Sequence, residues 1–294
     1  MSRASALICL IATAVLCGCW NRQRTIVVGS KSYTEQIVLG EIVARHLENR
    51  LQTSVERKLG LGSTLLVHQL LLSDQVDVYP EYTGTALMAL LKLAPEYDRA
   101  IVYERVRQEF QRRRLVIFPP LGFEDRVAVV VRRADARAGK LETLSDAAAY
   151  EPGWILAADH DFIERPDGYA LLMKFYNLPV KAAPSSLSGG AAYGALQGNQ
   201  ANMAIGSETD ALLSQLDVKL LRDDRHAFLP SQAVLAARAD TLESHPGMRR
   251  ALAELSGRFT DQIVRKLGHE VEIRHRKPAD VAAEFLQQAG LAPR

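Results

Sequence analysis

Twice along this chain a short β-branched run leads through a turn into a helix-period segment and then into another apolar run. That alternation limits the fold more than any other feature. Thr25-Ile-Val-Val-Gly29 reads as a buried strand ended by glycine. Ser32-Tyr-Thr-Glu35 has capping-box spacing and predicts the start of a helix carrying Ile37, Val38, Ile42, Val43, Leu47 and Leu51 on one period. Val55-Glu-Arg-Lys-Leu59 is a second strand, and Gly60-Leu-Gly-Ser-Thr64 turns into a helix through Leu72. Val76-Asp-Val-Tyr79 is a third strand. Strands joined by crossover helices predict a parallel sheet with helices on its faces.

A charged helix over residues 98–114 and the break Pro119-Pro120-Leu-Gly122 separate this unit from a second one. Val127 to Val131 reads as a strand in the middle of a sheet. Thr143-Leu-Ser-Asp146 opens a helix, Trp154-Ile-Leu-Ala157 is a strand, and Asp167–Tyr176 and Ser188–Leu196 are helices. Met203-Ala-Ile205, Val218–Leu221 and Ala233–Ala237 complete the strands, and the chain ends in helices over 247–255, 260–267 and 279–289. Two such units with two chain crossings predict two lobes around a cleft, with the final helices returning to the first lobe.

Composition narrows the function. The 294 residues are 48% hydrophobic and 24% charged, with a formal net charge of +2. That allows a sizeable core and argues against a disordered chain or a strongly basic nucleic-acid binder. Arg112 to Arg114 form a basic run, but no wider basic patch surrounds them, so they read as a solvated helix end. Cys9, Cys17 and Cys19 are the only cysteines, which excludes a disulfide framework, a cysteine zinc site or a cysteine nucleophile in the body.

Ala4–Leu16 is uncharged and mostly apolar, too short to span a bilayer comfortably and fitting for a signal h-region. Leu16-Cys17-Gly18-Cys19 resembles the bacterial lipobox. It implies a signal peptide over 1–18, lipidation at Cys19, and a body held by its lipids at the periplasmic or outer face of the membrane. An uncleaved N-terminal anchor is the alternative and gives the same sidedness.

Gly29-Ser-Lys-Ser-Tyr-Thr-Glu-Gln36 and Asp77-Val-Tyr-Pro-Glu-Tyr-Thr-Gly-Thr85 form two long motifs; Phe162-Ile-Glu-Arg-Pro-Asp-Gly-Tyr169, Leu221-Arg-Asp-Asp224, Phe228-x-Pro230 and Val281–Leu286 add to them. Together they resemble the substrate-binding proteins of glycine betaine/carnitine/choline ABC importers, over residues 26 to 291. The resemblance implies an α/β, two-lobed type II periplasmic binding protein fold. Each lobe would be a mainly parallel sheet flanked by helices, with the ligand cleft between lobes. Residues 19–122 with 229–294 are expected to form lobe 1, and 123–228 lobe 2. The implied partners are a small zwitterionic solute, an ABC permease with its ATPase, and the membrane through the anchor; the chain is expected to be a monomer without cofactor or nucleic acid.

The family clamps a zwitterion, holding its carboxylate with a Lys, an Arg and a hydroxyl and its quaternary ammonium in a tyrosine cage. By position the resemblance assigns Lys31, Arg165 and Thr85 to the carboxylate and Tyr82 to the cage, with Tyr79 in support. Lys31 also precedes a helix N-terminus, which suits an anion. Three cage positions depart from the pattern: Glu124-Asp-Arg-Val127, Ser207-Glu-Thr-Asp210 and Leu229-Pro-Ser231 place Val127, Ser207 and Ser231 where tyrosines are expected. Tyr193 reads as a packing residue. The carboxylate clamp is thus expected to survive while the cage does not, with Glu124, Asp125, Ser207 or Glu208 meeting an ammonium that keeps N–H groups. Such a site favours an amino-acid-like or other polar zwitterion over glycine betaine.

Other classes have little support. The seven histidines are scattered without His-Glu-x-x-His spacing, and no Gly-x-Ser-x-Gly elbow occurs. His160-Asp161 near the cleft reads as structural. An enzyme is not expected, whereas a ligand-sensing lipoprotein that signals to a receptor would use the same binding chemistry.

Overall fold

The computed structural model describes residues 24–187 and 190–292. The signal-peptide and Cys19 readings therefore lie outside the described residues. The chain builds two five-stranded sheets. The first contains β1 (Ile26–Gly29), β2 (Val55–Lys58), β3 (Val78–Tyr82), β4 (Leu115–Ile117) and β10 (Ala233–Arg238), in the order β2-β1-β3-β10-β4. The second contains β5 (Val127–Arg132), β6 (Leu156–Ala158), β7 (Ser185–Ser186), β8 (Met203–Ser207) and β9 (Val218–Leu221), in the order β7-β6-β8-β5-β9.

Both sheets follow one plan. Four strands run the same way, and the fourth in order is reversed: β10 in the first, β5 in the second. Each reversed strand is the one the chain enters on arriving from the other sheet. The crossings lie side by side: Asp125 N donates to Ser231 O at 2.9 Å and Ala233 N to Phe123 O at 3.0 Å. Glu124 pairs antiparallel with Gln232 between them.

β5 is apolar throughout because it is interior, paired by β8 on one side and β9 on the other. β3 runs past its expected end and through Pro80. β1 pairs with it only at Val78, so the missing N–H falls where that edge is already open. The helix Thr34–Leu51 buries Val38, Leu39, Ile42 and Leu47 against Val281, Phe285 and Leu286 of the final helix, which joins the core of the first sheet. The second core gathers around Trp154, Leu172, Met203 and Val131.

Two capping expectations diverge. Thr143 and Asp146 make a reciprocal capping box. Ser32 and Glu35 do not: the N-cap of Thr34–Leu51 is Tyr33, without a side-chain bond. The Glu35 carboxylate is held across the cleft instead. The arginines at 112–114 pair with Glu109, Asp240 and Glu243, as a solvated helix end should. Among the described residues no helix is long and apolar enough to cross a membrane, and no His/Cys/Asp/Glu group could hold a metal.

Candidate ligand-binding cleft

The sheets face each other with the carboxyl ends of their parallel strands. Lys31 follows β1, Glu81 and Tyr82 end β3, Asp161 and Arg165 follow β6, and Ser207 to Asp210 close and follow β8. The reversed strands begin on the same side, so Asp125 before β5 and Ser231 before β10 join them. Such crevices are where open α/β sheets bind ligands.

On the first-sheet side a buried ion pair anchors the cleft. Lys31 Nζ lies 2.5 Å from Glu81 Oε1, and the two side chains are 1% and 0% exposed. Glu81 accepts two further hydrogen bonds: Tyr82 N donates to Oε1 at 2.7 Å and the Tyr79 hydroxyl to Oε2 at 2.8 Å. A buried charge pair is tolerable when its remaining lone pairs are satisfied in this way. Lys31 Nζ also sits 4.8 Å from the Tyr82 ring centroid. Tyr79 is packed in the core beneath, with its hydroxyl on Glu81.

Arg165 answers from the second side. It grips Asp167 through Nε (3.1 Å) and Nη2 (3.3 Å), and Asp161 through Nη1 (3.2 Å). Burial alone would lower its pKa, but Asp167 and Asp161 outweigh that and raise it. Burial would likewise raise the Asp161 carboxyl; Arg165, Lys31 and the Thr64 bonds hold it below the usual range.

Two contacts tie the sides together inside the cleft, and beside it Arg126 pairs with Asp261. Glu35 Oε1 accepts the Tyr82 hydroxyl and Oε2 accepts Thr209 Oγ1 at 2.6 Å. Asp161 accepts Thr64 Oγ1 at 2.7 Å and Thr64 N at 3.2 Å. Burial, and next the charge of Asp125, push the Glu35 carboxyl up to about 8, against the bonds from Thr209 and Tyr82. Burial also raises Asp125, which Ser207, Arg165 and Lys31 oppose. Asp210 is pushed up to about 6 by burial while Tyr193 and the Ser207 amide bond it.

The structure thus brings Lys31, Tyr82, Arg165 and Ser207 to one cleft, with Ser207 Oγ 2.8 Å from Thr209 Oγ1. Thr85 is buried at the end of the helical turn Thr83–Thr85. Ser231 lies on the second crossing beside Gly84, where an added Cβ would come within 2.8 Å of Pro230 O. Glu124 is engaged by an ion pair: Arg99 Nε lies 2.6 Å from its carboxylate. Glu208 pairs with Arg126. Tyr193 does more than pack, since its hydroxyl holds Asp210. Glu35, Glu81, Gln36 and Thr209 carry no sequence signal for the site; Glu35 and Thr209 meet across the cleft from remote parts of the chain, and Glu81 meets Lys31 on the same side.

Residues 24–288 match the family model described as the substrate binding domain of the ABC-type glycine betaine transport system. The chain belongs to that family. These are extracytoplasmic substrate-binding components of ABC importers and not enzymes. A carnitine transport binding protein of Listeria monocytogenes is 31% identical over 268 residues, covering 90% of this chain and 86% of that protein. A Helicobacter pylori protein, named as an ergothioneine transport permease/ergothioneine binding protein, is 30% identical over 272 residues. That match covers 92% of this chain and 48% of the relative, so the chain spans about half of that protein's length. A crystal structure of a glycine betaine/carnitine/choline ABC transporter superposes with a TM-score of 0.71 at 26% identity, covering 90% of this chain and 99% of that one. The two-lobed α/β architecture expected from the residue pattern is therefore the family's.

Proposed function

We propose that this protein is the lipid-anchored binding subunit of an ABC importer. It captures a small zwitterionic solute of the glycine betaine/choline class, or an amino-acid-like relative, and delivers it to a permease and its ATPase. The observation that carries this reading is the convergence of Lys31 and Tyr82 with Arg165 and Ser207 on one cleft between the sheets. Arg165 uses three guanidinium N–H groups on Asp161 and Asp167, which leaves two of its five for a ligand carboxylate. The ligand-contacting lobes are taken as 19–122 with 229–294, and 123–228, with Cys19 as the lipid attachment.

Ligand that touches both lobes favours the closed form, because only that form contacts it from both sides. The closed form then presents itself to the permease. The test is a thermal-shift panel on the chain from residue 20, with glycine betaine, choline, carnitine, ergothioneine and amino acids. A ligand at 100 times its Kd adds about 2.7 kcal/mol of stability. A shift that disappears in Arg165→Ala supports the reading, and no shift with any solute overturns it.

A further inference from the structure

The cleft's charges do not balance around a quaternary ammonium zwitterion. Its two cations are already answered, Lys31 by Glu81 and Arg165 by Asp161 and Asp167. Glu35, Asp125 and Asp210 remain without an ion pair among the described residues, and only Asp125 feels Arg165 and Lys31 at longer range. Glu35 is bonded by the hydroxyls of Tyr82 and Thr209. Asp210 is bonded by the Tyr193 hydroxyl and the Ser207 amide.

The aromatic alternative is weak. A trimethylammonium offers no N–H and needs ring faces. The Tyr82 ring already has Lys31 Nζ over it at 4.8 Å. Tyr82 and Tyr193 present hydroxyl edges to carboxylates, and the Tyr33 hydroxyl lies by that of Tyr82. A separate observation points to a missing ligand group. Gln36 is fully buried, and its Nε2 has no partner of good geometry; the Tyr82 hydroxyl beside it is a strained acceptor that already donates to Glu35. A buried amide N–H in that state is costly unless a ligand oxygen accepts it.

We propose that the positive end of the ligand is a protonated amine or guanidinium, and that Glu35 and Asp125 accept its N–H groups while Gln36 donates to an oxygen elsewhere on it. This rests on the solute-binding reading above. Glu35 lies in the first turn of the helix Thr34–Leu51 and Asp125 on the crossing that leads into β5, and Asp125 is the leading electrostatic cause, after burial, of the raised Glu35 carboxyl. The other charged and titratable groups facing Glu35 are Tyr33, Tyr82 and Asp210, with Lys31, Glu81 and Arg165 beyond them. A bound cation lowers the carboxyl's pKa, so the Glu35 proton passes to the buffer on binding. Affinity then rises with pH until about 8.

Isothermal titration of the detergent-solubilised full-length chain tests this with three pairs that differ only in N-methylation, glycine and glycine betaine, γ-aminobutyrate and its trimethylammonium analogue, ethanolamine and choline, with agmatine as the guanidinium probe. In each pair that binds, the N–H member is expected to bind at least tenfold tighter. In buffers of different ionisation heat it should release a fraction of a proton near pH 7. Glu35→Gln and Asp125→Asn should each remove about tenfold, and Glu35→Gln should abolish the proton release, with both variants melting cooperatively. Equal or tighter binding of the quaternary member, or of carnitine or ergothioneine alone, overturns the proposal and leaves the solute-binding reading standing. Silence with every solute overturns both.

Discussion

The two sheets share one strand order and one reversed strand, yet they hold their cleft groups by different means. The first-sheet side is set by strand ends: Lys31 just past β1 and Glu81 within β3 form a pair excluded from water. The second side hangs its groups on connections, Asp161 and Arg165 around a five-residue helix and Ser207 to Asp210 in a turn. There the Arg165–Asp167 pair stays 14% and 10% exposed. Rigid backbone gives the first side its fixed charge. The second side keeps solvent contact and freedom to adjust.

The largest expected break in this comparison is Glu81→Ala, which strands a buried lysine and should destabilise by about 3–5 kcal/mol. Asp167→Ala, the equivalent lesion on the second side, should remove less, about 1–3 kcal/mol, because water reaches the pair. Urea unfolding followed by circular dichroism and by Trp154, which lies in the second core, separates the two. Equal losses would remove the distinction between the sides.

Next come two glycines of the second side. At Gly206 an added Cβ would fall 1.8 Å from the Tyr193 hydroxyl, whereas at Gly194 it meets nothing within 4 Å. Gly206→Ala should cost about 1–3 kcal/mol by forcing apart the Tyr193–Asp210 contact. Gly194→Ala, in the middle of a helix, should add about 0.5–1 kcal/mol. Melting curves give both signs.

The pH response is graded. Glu35 has a carboxyl raised from an unfolded value near 4.5 up to about 8. The folded chain therefore binds the extra proton, and stability falls as pH rises from about 4.5 to 8, by at most about 1.4 kcal/mol per pH unit. Glu35→Gln should flatten that decline, so the variant gains on the parent at pH 8 and not at pH 4. An unchanged slope would locate the titration elsewhere.

The smallest effects belong to the two contacts across the cleft. Thr209→Val and Thr64→Val should each remove about 1 kcal/mol from closure. Small-angle scattering should show a larger radius of gyration, most in the double variant.

Much of the fold was legible because helical and strand periods are local. Val127–Val131 announced its interior position by apolar content alone. Of the candidate cleft, the motifs pointed to Lys31, Tyr82 and Arg165, which the fold brings together. Glu35 shows why the rest was hidden. Ser32-x-x-Glu35 and Thr143-x-x-Asp146 look alike, and only the second caps its helix. The competitor for Glu35 is Thr209, 174 residues away, and no local pattern reports it. Glu124 has a partner hidden in the same way, Arg99.

The bonded crossings have a mechanical meaning. Two strips of backbone stitched at Asp125–Ser231 and Phe123–Ala233 behave as a leaf spring, soft to bending and stiff to sliding. The halves can therefore swing like a book on its spine without their pages slipping. Each time they shut, Glu35 returns to Thr209 and Asp161 to Thr64, so the lock keeps its alignment however often it is opened.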